Sequence, residues 1–403
     1  MDWKWSNLSK SNGYYCDDDM TYADVPSALM SHNKAFVRQP NGDPLLGKDF
    51  GYHIENEKFV GFSESKANEF GVVVMDDTVS RIEQDDHGIT ALHLASGSRL
   101  TADLYVDCSG FCSELLGKTL GVPFISFKSS RFCDRAVAGS WARTTEPVQP
   151  YTTSESMQCG WCWQIEHHQR IIRGYVYSSD FISDEDAERE FRAKVPKVEK
   201  TRIVKFVSGR YQQSWKNNVV AIGNASGFVE PLEATALAVI CDQSRLLAES
   251  LIESDRQPSQ TIQNSYNQIV AREWDTIRYF LALHYRFNNR YDNEFWRASR
   301  EKVDIGKVEP LVEYYRENGP STYGRTTLLE NNDIFGMKGY LCMLVGMQVP
   351  YRKTWVPTAA ERRVWNGVRS ENRSRALTGV SIPEAFQKIT SPQWTWNADF
   401  FKS

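Results

Sequence analysis

Long apolar runs are missing from this chain. No stretch of its 403 residues approaches the roughly 20 apolar positions that a membrane-spanning helix needs. An excess of charge is missing too. The formal net charge is −4, so no basic field points to nucleic acid or to an anionic membrane. Internal repeats and low-complexity linkers are absent, and the length fits one large two-lobed domain or two domains. No secretory leader opens the sequence, and its eight cysteines are scattered, at Cys16, Cys108, Cys112, Cys133, Cys159, Cys162, Cys241 and Cys342. That pattern implies reduced thiols in the cytoplasm rather than a disulfide framework. Adjacent His167 and His168 have no carboxylate or cysteine spaced to complete a metal site, so they read as solvated turn residues.

Aromatic side chains are what the sequence has in quantity: 12 Trp, 18 Tyr and 20 Phe. They serve either as large core fillers or as the walls of a pocket for a planar ligand. The densest signal is "QCGWCWQIE", residues 158–166. Cys159 and Cys162 have the spacing of a dithiol redox pair, whereas Trp161 and Trp163 lie two apart. Apolar residues fall on alternate positions at Met157, Cys159, Trp161, Trp163 and Ile165, which predicts a half-buried strand. On a strand the two cysteines face opposite sides, roughly 10 Å apart, beyond the roughly 7 Å between Cα atoms that a disulfide tolerates. The two indoles share a face and form a wall. "IIRGYVYSS" reads as the return strand of a hairpin.

Elsewhere, residues 54–70 predict a helix with Phe59, Ser63, Ala67 and Phe70 along one stripe, and "VVVM" (72–75) predicts a short buried strand. Turns at "DDHG" and "SGS" mark a small antiparallel meander that leads into "DLYVDCSG". Ser183 with Asp184, Glu185 and Asp186 forms a helix start. In "VVAIGNASGFVEPLEATAL" a buried strand, a loop of small residues and a helix beginning near Ala234 follow one another. The apolar positions of that helix are Leu237, Ile240 and Leu247. A helix N-terminus behind such a loop gathers unsatisfied N–H groups that favour anions. Glu233 beside it reads either as a capping carboxylate or as a functional one. Residues 261–403 predict a mainly helical region, set against a mixed-sheet module over 1–260.

Four stretches, "GWCWQI" with "GYVYSS", "VVAIGNASGFVEPLEATAL", "DLYVDCSG" and "HYRFNNRYDNEFWR", together resemble the flavin-dependent tryptophan halogenase family. The resemblance implies an α/β (α+β) fold of the FAD-dependent monooxygenase kind, glutathione-reductase-like, with a mainly helical C-terminal part. It implies reduced FAD, oxygen and a halide acting on an electron-rich aromatic substrate, indole-like or phenolic. A flavin reductase would supply FADH2, and a homodimer is compatible with it. Trp161 and Trp163 correspond to the family's tryptophan pair between the flavin and substrate compartments. Glu233 corresponds to the glutamate that orients the halogenating agent or accepts the ring proton. Thr235 and Ala236 correspond to the backbone halide site. Asp107, Gly110, Gly223, Asn224, Ala225, Phe228 and Pro231 correspond to the cofactor-binding segments.

The departures are several. Asn224 stands where aspartate is usual, Ala234 for serine, Ala236 for glycine and Glu166 for proline. No G-x-G-x-x-G precedes the matching region, and the family's catalytic lysine would lie upstream of "DWKW", so Lys4 is not assigned to that role. The expectation is a family fold without its N-terminal βαβ unit. The alternatives are an FAD-dependent aromatic hydroxylase and a non-catalytic remnant that binds no flavin.

Overall fold

Backbone ladders sort the chain into small sheets gathered around one antiparallel sheet, with helices following. The computed structural model describes residues 20–47, 51–354 and 356–396. Helix α1 (Val25–Ser31) is capped by Asp24, whose carboxylate accepts from Ser27 N at 2.8 Å. Helix α2 (Asn56–Glu69) forms as its sequence predicts, but none of its residues is buried. Phe70, which closes the predicted stripe, is 84% exposed. Residues 72–75 form no strand, and Val73 is 79% exposed. A strand is held by ladder bonds to a neighbour, and among the described residues none flanks 72–75, so the buried-strand expectation fails.

Strands β1 (Val79–Asp85), β2 (Gly88–Leu94) and β3 (Arg99–Leu100) make the predicted meander, turning at Asp86–His87 and again at 95–98. The Asn218 side chain ties it to the next sheet, accepting from Ile89 N at 2.9 Å and donating to Ile89 O at 2.8 Å. Gly88 lets the amide in: a Cβ there would stand 2.0 Å from Asn218 Oδ1. Strand β4 (Tyr105–Asp107) lies within the predicted "DLYVDCSG" segment, and β5 (Phe124–Ser126) follows.

The central sheet comprises β6 (Arg135–Ala142), β7 (Thr153–Met157), β8 (Gly160–Glu166) and β9 (Arg170–Tyr177), joined after α3 (Asp184–Lys194) by β10 (Thr201–Lys205). Its order is β10-β6-β9-β8-β7, antiparallel throughout. Ser183 caps α3, its Oγ accepting from Asp186 N at 3.1 Å. The predicted strand from Met157 to Ile165 is in fact two. A tight turn at Gln158–Cys159 pairs Met157 with Gly160. Met157 therefore packs with Cys162, Tyr175 and Phe191 of α3, on the face away from Trp161. Gly160 makes that turn possible: at φ 157° it leaves Val176 O where any Cβ would collide, at 1.9 Å.

Strands β11 (Gly209–Tyr211), β12 (Trp215–Lys216), β13 (Val219–Ala221) and β14 (Gly227–Phe228) complete two three-stranded sheets, β14-β11-β5 and β12-β13-β4. The pairing of β13 with β4 is parallel. Helices α4 (Ala236–Glu253) and α5 (Gln260–Arg286) then pack on these sheets. The remaining described chain is helical, from α6 (Glu294–Lys302) and α7 (Glu309–Asn318) through α8 (Arg325–Leu328), α9 (Gly336–Gly346), α10 (Ala359–Leu377) and α11 (Ile382–Ile389). One apolar core runs across both halves of the chain, from Phe127, Trp161 and Val220 to Trp274, Tyr315 and Leu344. Among the described residues no helix is long and apolar enough to cross a membrane.

Candidate active site

The wall predicted from alternation is present. Trp161 on β8 is only 4% exposed and lies in the main core, and Trp163 packs against the same core. Opposite Trp163 on β9 stands Gly174, where a Cβ would come within 2.4 Å of the indole. The strand pair gives up a side chain to seat the ring. Cys162 faces the other way, while Cys159 packs beside the main core. Burial pushes both thiols up to about 11, and both are free. Neither is a low-pKa redox thiol. His167 departs from expectation: it is buried, and burial lowers its pKa, while its carbonyl accepts from Arg143 Nη2 at 2.9 Å. Glu166, in the family's proline position, pairs with Arg143 at 2.5 Å.

The loop after β13 is organised from within. Gly223 has φ 62°, and its N–H donates to Gln243 Oε1 of α4 at 2.8 Å. Gln243 Oε1 also accepts from Ser226 Oγ at 3.2 Å, so one buried amide fixes the whole turn. Ala225 is buried; Asn224 is half-buried, its side chain making no hydrogen bond among the described residues. On the facing loop Gly110 has φ 67°, and Phe111 meets Phe228 edge to face at 4.8 Å. The Asp107 carboxylate is already taken by the protein. It accepts from Ser109 N and Oγ at 3.0 and 2.6 Å, and from Leu115 and Leu116 N at 2.9 Å. Its contribution is to shape the loop.

Helix α4 begins at Ala236, later than predicted, with Thr235 as an N-cap whose side chain makes no capping bond. Its first N–H groups are therefore open. Ala234 takes a positive φ, 52°, a left-handed conformation that costs a non-glycine residue about 1–2 kcal/mol. The buried positions of α4 are Val239, Gln243 and Leu247; Leu237 and Ile240 are exposed, because the helix turns Gln243 rather than its apolar stripe toward the loop.

Between loop and helix, Pro231 is exposed and Glu233 half-buried. Glu233 Oε1 lies 2.8 Å from His284 Nε2 on α5. Three residues earlier, Glu230 is 1% exposed and accepts from Trp161 Nε1 at 3.3 Å and from Tyr285 Oη at 2.8 Å. The guanidinium of Arg131 pairs with Glu230 and lies over the Tyr285 ring at 4.8 Å. Burial holds the Tyr285 phenol well above its ordinary pKa, so it remains a donor to the carboxylate. Burial likewise pushes the Cys133 thiol, 3.3 Å from Tyr285 Oη, up to about 12. Consecutive residues of α5 thus hold the two carboxylates of one loop, and one of those carboxylates holds the indole wall.

The family model described as tryptophan halogenase matches residues 4–361. The chain belongs to the tryptophan halogenase family. Among its relatives, the 7-chloro-L-tryptophan 6-halogenase KtzR of Kutzneria sp. (strain 744) is 35% identical over 308 residues, covering 74% of this chain and 58% of KtzR. The tryptophan 7-halogenase RebH of Lentzea aerocolonigenes is 29% identical over 360 residues, covering 83% and 67%. The chain thus spans less than two thirds of the length of KtzR. Among solved structures, the tryptophan 6-halogenase SttH from Streptomyces toxytricini superposes with a TM-score of 0.84 at 28% identity, covering 93% of this chain and 78% of that one. BrvH, a flavin-dependent halogenase from Brevundimonas sp. BAL3, gives 0.81 at 26% identity, covering 93% and 77%. The α/β fold of this halogenase-family chain is therefore that of flavin-dependent halogenases.

Sequence reasoning missed Arg131, Glu230, Gln243, His284 and Tyr285. His284 and Tyr285 sit inside "HYRFNNRYDNEFWR", but nothing local marks one as a carboxylate partner. Glu230 shares a short segment with Glu233, and nothing in its spacing marks it as buried. Lys4 lies outside the described residues.

Proposed function

We propose that this chain works as an FADH2-dependent halogenase of an electron-rich aromatic compound, indole-like or phenolic, in the cytoplasm, with reduced flavin supplied by a separate reductase. The observation that carries the reading is the linkage of Glu233, through the Glu230 loop, to the Trp161 wall and to the open N-terminus of α4.

The residues fit a flavin. Gly110 and Gly223 adopt positive φ beside one another's loops, and a side chain at Gly223 would meet Ile240 at 2.9 Å. Asn224 keeps a free amide, and Phe228 and Pro231 border the same turn. Bound there, reduced flavin with oxygen would supply the oxidising power that converts halide to an electrophile. Asp107 would hold the loop and Gly223 and Ala225 its turn, while Gly110 and Asn224 would present backbone and amide groups to the cofactor. The N–H groups at Thr235 and Ala236 would hold the halide, with the helix dipole favouring the anion. Trp161 and Trp163 would exclude water and separate the oxidising centre from the arene. Glu233, oriented by His284, would accept the proton released from the ring as the halogen is added.

The test is Glu233→Gln with FADH2, halide and a panel of indoles and phenols. Loss of halogenated product with ligand binding intact is expected. Retained turnover removes Glu233 from the mechanism, and oxygenated product formed without halide replaces the reading with a hydroxylase.

A further inference from the structure

A buried indole N–H needs an acceptor, and a neutral one suffices. Trp215 donates to Asn217 O at 3.1 Å, Trp274 to Ser226 Oγ at 3.2 Å and Trp296 to Met157 O at 2.8 Å. Trp161, buried like these, donates instead to the carboxylate of Glu230. That carboxylate is paired with Arg131, 2% exposed, whose Nε and Nη1 have no hydrogen-bond partner among the described residues. Desolvating a carboxylate and a guanidinium can cost more than their attraction returns, so stability does not account for the choice. A carboxylate held from several sides offers something else: an acceptor that cannot swing.

Glu230 is held in that way. Both its oxygens accept from Tyr285 Oη, at 2.8 and 2.9 Å. The Tyr285 ring is stacked on Trp296 with centroids 5.8 Å apart, and Trp296 is bonded to Met157 in the hairpin that carries Trp161. The contacts close a circuit, from Trp161 through Glu230, Tyr285 and Trp296 back to Trp161's own hairpin. Arg131 pairs with Glu230 and covers the Tyr285 ring, so it clamps the circuit at two members.

We propose that Glu230 is a positioning residue: with Arg131 and Tyr285 it fixes the plane of the Trp161 indole. It thereby holds shut the partition that, in the halogenase reading, stands between oxidant and arene. What the partition divides rests on that reading; the fixing of the ring does not.

Deuterium exchange of the indole N–H groups, followed by NMR on chain isotopically labelled in tryptophan and assigned with Trp→Phe variants, reads the ring directly. Arg131→Met with Glu230→Gln, and Arg131→Met with Glu230→Leu, both leave a neutral core, but only the first keeps an acceptor for the indole. Exchange at Trp161 should be about 10-fold faster or more in the second double variant than in the first, as loss of a buried hydrogen bond implies. Trp215, Trp274 and Trp296 should exchange alike in both, whereas a merely structural role would move all four indoles together. Tyr285→Phe keeps the charge pair and should speed exchange at Trp161 alone by about 5-fold; it decides the matter where the second double variant does not fold. Equal exchange at Trp161 across these variants, or acceleration shared by all four indoles, would overturn the proposal. In turnover, oxidant that escapes the partition appears as hydrogen peroxide, one for each reduced flavin that oxygen oxidises without product. The second double variant should release more peroxide per halogenated product than the first, and an equal ratio would sever Glu230 from the partition. Should the unaltered chain halogenate nothing, the halogenase reading fails, and the exchange measurement still decides whether Glu230 fixes the ring.

Discussion

His284 Nε2 lies 2.8 Å from Glu233 Oε1, and the next residue of the same helix, Tyr285, hydrogen-bonds Glu230. The helix therefore sets the position of the loop at two points, one buried and one partly open. His284→Phe removes the open point alone. Because that pair is partly solvated, its loss should cost only about 1 kcal/mol, or about 1 °C in Tm for a chain of this size. Turnover should fall by about 10-fold or more if Glu233 needs its orientation to take a proton. Parallel thermal unfolding and halogenation assays check the split; an equal fall in stability and no fall in turnover would make His284 structural.

The buried point behaves differently. Arg131→Met strands the Glu230 carboxylate in the core and should destabilise the chain by about 3–5 kcal/mol. Adding Glu230→Gln should recover most of that, because a neutral amide still accepts from Trp161 and Tyr285. Urea unfolding of the two single variants and the double variant measures the coupling directly.

Glu273, on α5, offers a pH test. Burial, with Asp242 nearby, pushes its carboxyl up to about 7. An acid whose folded pKa is raised disfavours folding once the unfolded chain can ionise. The penalty begins near the ordinary pKa of about 4.3, grows through pH 7 and is complete above it. Since the group is partly exposed, we expect a penalty of about 1–2 kcal/mol. Glu273→Gln should therefore stabilise the chain at pH 8 and leave it little changed at pH 4.5, as read from urea midpoints.

Thiol chemistry tests the sheet geometry. With Cys159 and Cys162 both raised to about 11 by burial, neither should react quickly with a thiol-specific reagent at pH 8. The exposed Cys112 and Cys241 should be labelled first. Mild oxidation should yield no Cys159–Cys162 disulfide, which peptide mass spectrometry would detect.

Much of this arrangement was legible wherever a local period or turn determines it. The alternation around Trp161 exposes a strand face, "DDHG" and "SGS" are turns by composition, and Ser183 announces a helix. The failures fall where a partner distant in sequence decides. Val72–Met75 has strand composition, but a strand exists only with a neighbour. Leu237 and Ile240 look like a core stripe, yet α4 buries Gln243 because the turn at Gly223 needs an acceptor. Met157 carries the right alternation but belongs to the preceding strand, since the tight turn at Gln158–Cys159 breaks the pattern. The pairing of Arg131 with Glu230 and Tyr285 joins three remote segments, and no spacing rule reaches that far.

Gly174 and Trp163 illustrate what such pairing means for change over generations. Because the ring fills the space a methyl group would need, enlarging position 174 crowds the indole, and shrinking position 163 opens a hole that only a larger residue at 174 can close. Neither step is neutral by itself: a Gly174→Ala chain should lose about 1–3 kcal/mol. Movement from one arrangement to another must then pass through a weakened intermediate or two simultaneous substitutions, so the thickness of the partition is held in place by the difficulty of leaving it.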